Sequence, residues 1–167
     1  MTETAVRAGE LRDLPGLVAI YNHYILTSPA TFDTEPHSVG ERRAWFDQFA
    51  ATGRYRLFVA EEDGEVAGFA TSRRFREKAA YDTTIETSVY CAAGATGRGL
   101  GTRLYGALFE ALAGEDLHAA IGAITQPNPA SVALHRTFGF EPAGVLHEAG
   151  RKFGRYWDVA NYEKRLG

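Results

Sequence analysis

The stretch from Ile85 to Thr102 constrains this chain more than any other, because it joins an apolar strand, a small-residue loop and a helix start. Ile85 to Cys91 has strand character, Ala92 to Ala95 is small and neutral, and Gly97, Gly99 and Gly101 stand at every second position. Glycine lets the backbone turn tightly and leaves no Cβ between the amides and a ligand. Leu100, Leu104, Leu108 and Leu112 then recur at every fourth position, which is helical spacing. Bare amides feeding a helix N-terminus favour an anion, since unpaired N–H groups and the helix dipole both attract negative charge. A phosphate or pyrophosphate is the natural ligand, with Arg98 and Arg103 placed to meet its charge.

Two commoner glycine motifs fail here. The P-loop closes its turn with Lys-Ser or Lys-Thr, whereas Thr102-Arg103 follows Gly101. The dinucleotide fingerprint needs a third glycine that falls on Thr102 or Leu104, depending on the start.

At 167 residues the chain is expected to be one domain, 1–167, large enough to bury a substantial core. A net charge of −3 argues against nucleic acid or an anionic membrane as the main partner. No apolar run approaches the ~18 residues of a membrane span, and Met1-Thr2-Glu3-Thr4 lacks the basic-then-apolar layout of a signal peptide. The single cysteine excludes an internal disulfide framework and points to a reducing cytoplasm. The histidines at 23, 37, 118 and 147 show no ligand spacing, so no metal is expected.

Residues 5–8 read as a first strand. Asp13 is the expected cap of a helix with Pro15 in its first turn and Leu14, Leu17, Val18, Tyr21 and Ile25 as its buried stripe. Thr27 to Pro36 reads as loop. Ser38-Val39-Gly40-Glu41 is a capping box for a helix whose apolar side is Trp45, Phe46 and Phe49. Tyr55–Ala60 and Val66–Thr71 form a hairpin about Asp63-Gly64. Residues 72–81 read as a basic loop before a central strand, Thr83 to Cys91. The glycine-led helix ends near Ala113-Gly114, His118–Thr125 is a strand, and Asn128 opens a short helix that Gly139 closes. Strands near 143–149 and 156–165 flank a loop at Gly150 to Gly154. The class is mixed α/β.

Glu86 is out of pattern, a carboxylate midway along a strand of apolar and β-branched residues. It shares a face with Ser88 and Tyr90, against Ile85, Thr87, Val89 and Cys91. By pattern alone it is either a general base or a solvated, salt-bridged side chain. Cys91, without an adjacent histidine, reads as a small buried hydrophobe and not as a nucleophile. Arg73 and Arg74 read as a solvated face.

Thr96 to Gly101 resembles the acetyl-CoA signature of the GNAT acetyltransferases: Arg or Gln, two residues, Gly, any residue, then Gly or Ala. Thr96 departs at the first position, which affects one side-chain contact and leaves the amide cradle intact. Asn128, Ser131, Leu134-His135 and Gly139-Phe140 match the family's later helix. Four further blocks are similar to the branch typified by phosphinothricin N-acetyltransferase: Ala30 to Pro36, Glu86 ahead of Ser88-Val89-Tyr90, Pro127 to Val132, and Gly150 to Gly154 leading to Trp157-Asp158-Val159. The resemblance covers essentially the whole chain.

It implies a GNAT acyl-CoA N-acyltransferase fold, with a central, mostly antiparallel mixed sheet flanked by helices, and acetyl-CoA as co-substrate. By this resemblance the diphosphate is held by Gly97, Arg98, Gly99, Leu100, Gly101 and Thr102. The pantetheine arm and carbonyl are met by backbone at Val89, Tyr90 and Cys91, where the central strand splays, and by Asn128 and Ser131. Glu86 becomes the base, acting through water, with direct attack in a ternary complex. His135 is either the acid for the leaving thiolate or a core residue, and Asn128 is also a good N-cap. Arg76 and Lys78, framed by Phe75 and Tyr81, are the basic pair for an anionic acceptor group, and Phe32 with Tyr21 or Tyr24 walls the pocket. The implied acceptor is the α-amine of a small amino acid or analogue such as phosphinothricin, methionine sulfoximine or methionine sulfone, in a homodimer. Other amines, such as a polyamine, an aminoglycoside or a protein N-terminus, and a non-catalytic acyl-CoA binder are the alternatives.

Overall fold

Period-two runs rich in branched and aromatic residues build strands, and the four-residue leucine repeat builds the helix they cradle. The computed structural model describes residues 3–167, so Met1 and Thr2 of the leader reading lie outside it. The strands are β1 (Thr4–Ala8), β2 (Leu57–Glu62), β3 (Glu65–Arg74), β4 (Thr84–Cys91), β5 (Ala119–Thr125), β6 (Glu141–Lys152) and β7 (Arg155–Arg165). The helices are α1 (Leu14–Thr27), α2 (Val39–Phe46), α3 (Leu100–Leu112) and α4 (Pro129–Thr137). One seven-stranded sheet runs in the order β1-β2-β3-β4-β5-β7-β6. Every neighbouring pair is antiparallel except β4 and β5, which run parallel. This is the mixed, mostly antiparallel sheet expected.

Alternation along the strands divides the core in two. Leu57, Val59 and Phe69 face α1 and α2, where Leu17, Ile20 and Trp45 pack. Ala60, Ala70, Ile85 and Ala120 face α3, and Leu100, Leu104, Leu108 and Leu112 bury their predicted stripe against them. Tyr105 is fully buried beside that stripe.

Several expectations are corrected. Asp13 makes no side-chain cap on α1. Its carboxylate instead accepts from the Glu10 N–H at 2.7 Å and from both Arg7 terminal nitrogens at 2.8 and 2.9 Å. Burial works to raise its pKa, but these donors leave it below the usual carboxylate range. Ile20 takes the buried place assigned to Tyr21, which is only partly buried and donates its hydroxyl to Asp33 at 2.6 Å. The basic loop at 72–81 is in part strand, since β3 continues to Arg74. Ser72 is buried there at no polar cost, accepting from Arg56 N–H at 2.9 Å and donating to the Arg54 carbonyl at 2.8 Å. β6 likewise runs through Gly150 to Lys152, and the turn shrinks to Phe153-Gly154, both at positive φ.

Candidate active site

The site begins where the sheet opens. The parallel ladder between β4 and β5 consists of Thr84↔Ala119, Ile85↔Ala120 and Glu86↔Ile121. Beyond it β4 stays paired with β3 as far as Cys91, and β5 stays paired with β7 as far as Thr125. A cavity of about 310 Å³ occupies this opening. Its walls include Thr87, Val89 and Cys91 from one face of β4 and Ser88 and Tyr90 from the other. A cleft lined by both alternating faces of one strand passes through the sheet rather than lying on it.

At one end of the cleft stand Gly97, Gly99, Gly101 and Thr102. Gly97 and Gly99 have φ of +74° and +77°, and a Cβ on either would meet nothing within 4 Å. Glycine is therefore required by backbone conformation, not by crowding. Gly99 opens α3 without a side-chain cap, and the first helical amides have no intrahelical acceptor. Such uncapped amides, together with the helix dipole, favour negative charge at this end of the cleft.

Not every residue of the predicted cradle contributes a side chain. Leu100 is 3% exposed in the core, so only its backbone is available. Arg98 donates to Glu62 at 2.7 Å, and Arg103 donates to the Thr4 carbonyl at 2.9 Å. Both guanidiniums thus have partners within the chain, Arg98 on a side chain and Arg103 on a backbone carbonyl. Gly101 serves packing, because a Cβ there would lie 3.1 Å from Leu134 on α4.

Farther in, the Tyr24 hydroxyl donates to the Cys91 carbonyl at 2.6 Å, tying α1 to the splayed strand. Burial pushes the Cys91 thiol up, in keeping with an inert side chain. The Asn128 side chain accepts from Ser131 N–H at 3.2 Å and caps α4. His135 also borders the cleft, yet it is only 4% exposed. Its Nδ1 lies 2.7 Å from the Ser131 carbonyl and its Nε2 lies 3.0 Å from Tyr105 Oη. A carbonyl only accepts, so Nδ1 carries the proton and Nε2 is the acceptor. Burial holds the imidazole pKa below its ordinary range, partly offset by that carbonyl. The ring fits against β5 because position 122 is glycine: a Cβ there would lie 2.7 Å from Nε2.

Glu86 is the last β4 residue paired to β5, and it projects on the Ser88–Tyr90 side as alternation predicts. Its cross-strand partner is Arg73, with 3.9 Å between Nη2 and Oε1. The residues predicted to surround the acceptor are less convergent. Arg76 stacks on Phe75 and Tyr81, its guanidinium carbon 4.7 and 5.5 Å from the ring centroids, and Lys78 is exposed. Phe32 is partly exposed and lies over Gly150 of β6. Phe32, Arg76, Lys78, Tyr81 and Glu86 itself are absent from the cleft walls, which begin on β4 at the next residue, Thr87, while Tyr24 is among them. Sequence reasoning missed the Tyr105 tie to His135 and the cross-strand position of Arg73. The first depends on how α3 and α4 meet and the second on the β3/β4 register, neither of which a local motif encodes.

Residues 17–140 match the acetyltransferase (GNAT) family. The chain belongs to the GNAT acetyltransferases. It is 54% identical over 166 residues to the phosphinothricin N-acetyltransferase of Streptomyces coelicolor, covering 98% of this chain and 97% of that one. Over 162 residues it is 37% identical to an L-methionine sulfoximine/L-methionine sulfone acetyltransferase of Pseudomonas aeruginosa, covering 97% and 94%. The crystal structure of a GNAT superfamily phosphinothricin acetyltransferase from Sinorhizobium meliloti, in complex with acetyl-CoA, superposes with a TM-score of 0.92 at 33% identity over 98% of this chain and 89% of that one. The chain is thus an N-acetyltransferase with the GNAT fold, and the open β4/β5 seam lies between the glycine turn and Glu86.

Proposed function

We propose that this GNAT enzyme transfers acetyl from acetyl-CoA to the α-amino group of a small amino acid or analogue of the phosphinothricin, methionine sulfoximine or methionine sulfone type. The observation that carries the reading is the cleft through the sheet, with uncapped α3 amides at one end and a strand carboxylate where the ladder stops. Relatives named for those substrates support the acceptor class. Acetyl-CoA supplies an acetyl thioester, an acyl group activated toward an amine.

The chain's own residues then do three things. Amides at Gly97 to Thr102 hold the diphosphate. Backbone N–H groups on the unpaired edge at Val89 to Cys91 donate to the carbonyl oxygen as negative charge develops; such a donor is worth ~2.7–4 kcal/mol in other enzymes. Glu86 accepts a proton from the substrate ammonium, whose pKa of ~8 or higher leaves it mostly charged at neutral pH, through a water. Proton balance closes when the proton lost by the amine on attack passes to the departing sulfur. His135 receives the positioning role: neutral, with its only N–H given to Ser131, it has no proton to donate and instead braces Tyr105.

The same reading makes the protein a cytoplasmic single-domain enzyme that works as a homodimer. The edge hairpin exposes Val145, Leu146, Phe153 and Tyr156, an apolar surface suited to a second copy. Thiol release on mixing protein, acetyl-CoA and amine tests the activity. Glu86→Gln is expected to lower kcat by about 10²–10⁴-fold with the acetyl-CoA KM retained. Undiminished turnover would remove Glu86 as base, and a preference for polyamines would overturn the acceptor class.

A further inference from the structure

On the acceptor side of the sheet, two arginines that no motif singled out face the same space as Glu86. Phe69, Thr71 and Arg73 of β3 lie opposite Tyr90, Ser88 and Glu86 of β4, so these six side chains share one face. Tyr21 and Trp45 pack on that face, Tyr21 edge-on to Tyr90 with centroids 5.6 Å apart and Trp45 against Phe69 at 6.0 Å. Over both rings lies Arg42 of α2, its guanidinium carbon 4.4 Å from each centroid. Among the described residues Arg42 has no ion pair or side-chain hydrogen bond, although it is half-buried and feels the like charge of Arg73. The carboxylate within electrostatic reach, Asp33, is taken by the Tyr21 hydroxyl at 2.6 Å and by His37 Nε2 at 3.2 Å.

Arg73 is also undersupplied. Its contact with Glu86, at 3.9 Å, is longer than the ~2.7–2.9 Å of a charge-assisted hydrogen bond, so both groups keep capacity for another partner. An opposed guanidinium and carboxylate on adjacent strands complement a zwitterion. A carboxylate set on the arginine brings the neighbouring ammonium, on the same carbon, to the glutamate. Arg42 adds a second cation that lacks an anion.

We propose that Arg73, with Arg42, binds the α-carboxylate of the acceptor and thereby selects α-amino acids over simple amines. This rests on the acceptor reading above and deepens it: Arg73 and Arg42 become specificity-determining residues, in place of the Arg76 and Lys78 pair for that carboxylate. The planar, always-charged forks of Arg73 and Arg42 suit a carboxylate better than a point charge does.

The test compares methionine sulfone with its carboxamide, which keeps the amine and side chain but loses the carboxylate. In thiol release the unaltered enzyme is expected to prefer the acid by about 10- to 100-fold in kcat/KM. Arg73→Gln, at a part-exposed position, is expected to keep the Tm of the unaltered enzyme and to raise the KM for the acid by a similar factor. It should leave the acetyl-CoA KM unchanged and bring acid and amide to near-equal kcat/KM. Arg42→Lys, which keeps the charge over the rings, should lose less of the preference than Arg42→Gln. Retention of the full preference in Arg73→Gln, or its loss in Arg76→Gln with Arg73→Gln unaffected, overturns the assignment while leaving the acceptor class intact. If the unaltered enzyme makes no distinction between acid and amide, the assignment and the acceptor class fall together.

Discussion

Gly122 is the position at which one added methyl group interrogates the site most sharply. Its backbone is ordinary strand, so alanine costs nothing in conformation, and the whole effect is steric. The new Cβ would lie 2.7 Å from His135 Nε2 and 2.8 Å from Cδ2. Restoring an ordinary contact of about 3.5–4.0 Å requires the ring to retreat by about 1 Å. That ring is pinned between the Ser131 carbonyl at 2.7 Å and Tyr105 Oη at 3.0 Å, so such a movement breaks at least one of the two bonds. Overpacking of this kind costs about 1–3 kcal/mol, and the lost hydrogen bond about 0.5–1.5 kcal/mol. The expected destabilisation is about 2–4 kcal/mol, or about 5–15 °C in Tm for a chain of this size. Urea unfolding of Gly122→Ala, His135→Ala and the double variant measures it. The double variant is expected to cost less than the sum of the singles by at least about 1 kcal/mol, because the clash disappears with the ring. A Gly122→Ala midpoint within about 0.5 kcal/mol of the unaltered protein, or strict additivity, would refute this packing of His135.

Two further outcomes follow from buried groups. His135 has a folded pKa below its unfolded value near 6.5, so in that window the unfolded chain binds the extra proton and stability falls as pH drops through it. Urea midpoints between pH 7.5 and 5 should show that loss, and His135→Gln should flatten it. Lys152, buried on β6, donates at 2.8 Å to the carbonyls of both Ser28 and Thr31 and so clips the α1–α2 loop to the edge hairpin. Lys152→Met is expected to cost about 1–3 kcal/mol and to speed hydrogen exchange from Ala30 to Asp33, with Lys152→Arg restoring part of both.

What the chain discloses before folding is set by how local its signals are. The leucine stripe of α3, the Ser38–Glu41 capping box and the Asp63-Gly64 hairpin each depend on residues a few positions apart, and each appears in the structure as expected. The capping box is closed in both directions, with Glu41 N–H donating to Ser38 Oγ and Ser38 N–H donating to Glu41. Ser72 reads as loop because its two hydrogen-bond partners lie 16 and 18 residues away. The pairing of Arg98 with Glu62 is invisible locally for the same reason, the two being 36 residues apart. Arg73 reads as solvated for a related reason, since its meeting with Glu86 depends on the β3/β4 register. The glycine turn and Glu86 are visible locally, whereas the cleft between them is not: it exists because β4 and β5 part company after Glu86↔Ile121.

The most direct test of this account is a titration of isotopically labelled protein with acetyl-CoA, followed at individual backbone amides by nuclear magnetic resonance. The amides of Gly97 to Thr102 are expected to move together with those of Val89 to Cys91, saturating at one equivalent, while those of the β6–β7 hairpin stay in place. Saturable binding that leaves the Gly97 to Thr102 amides unmoved would contradict it.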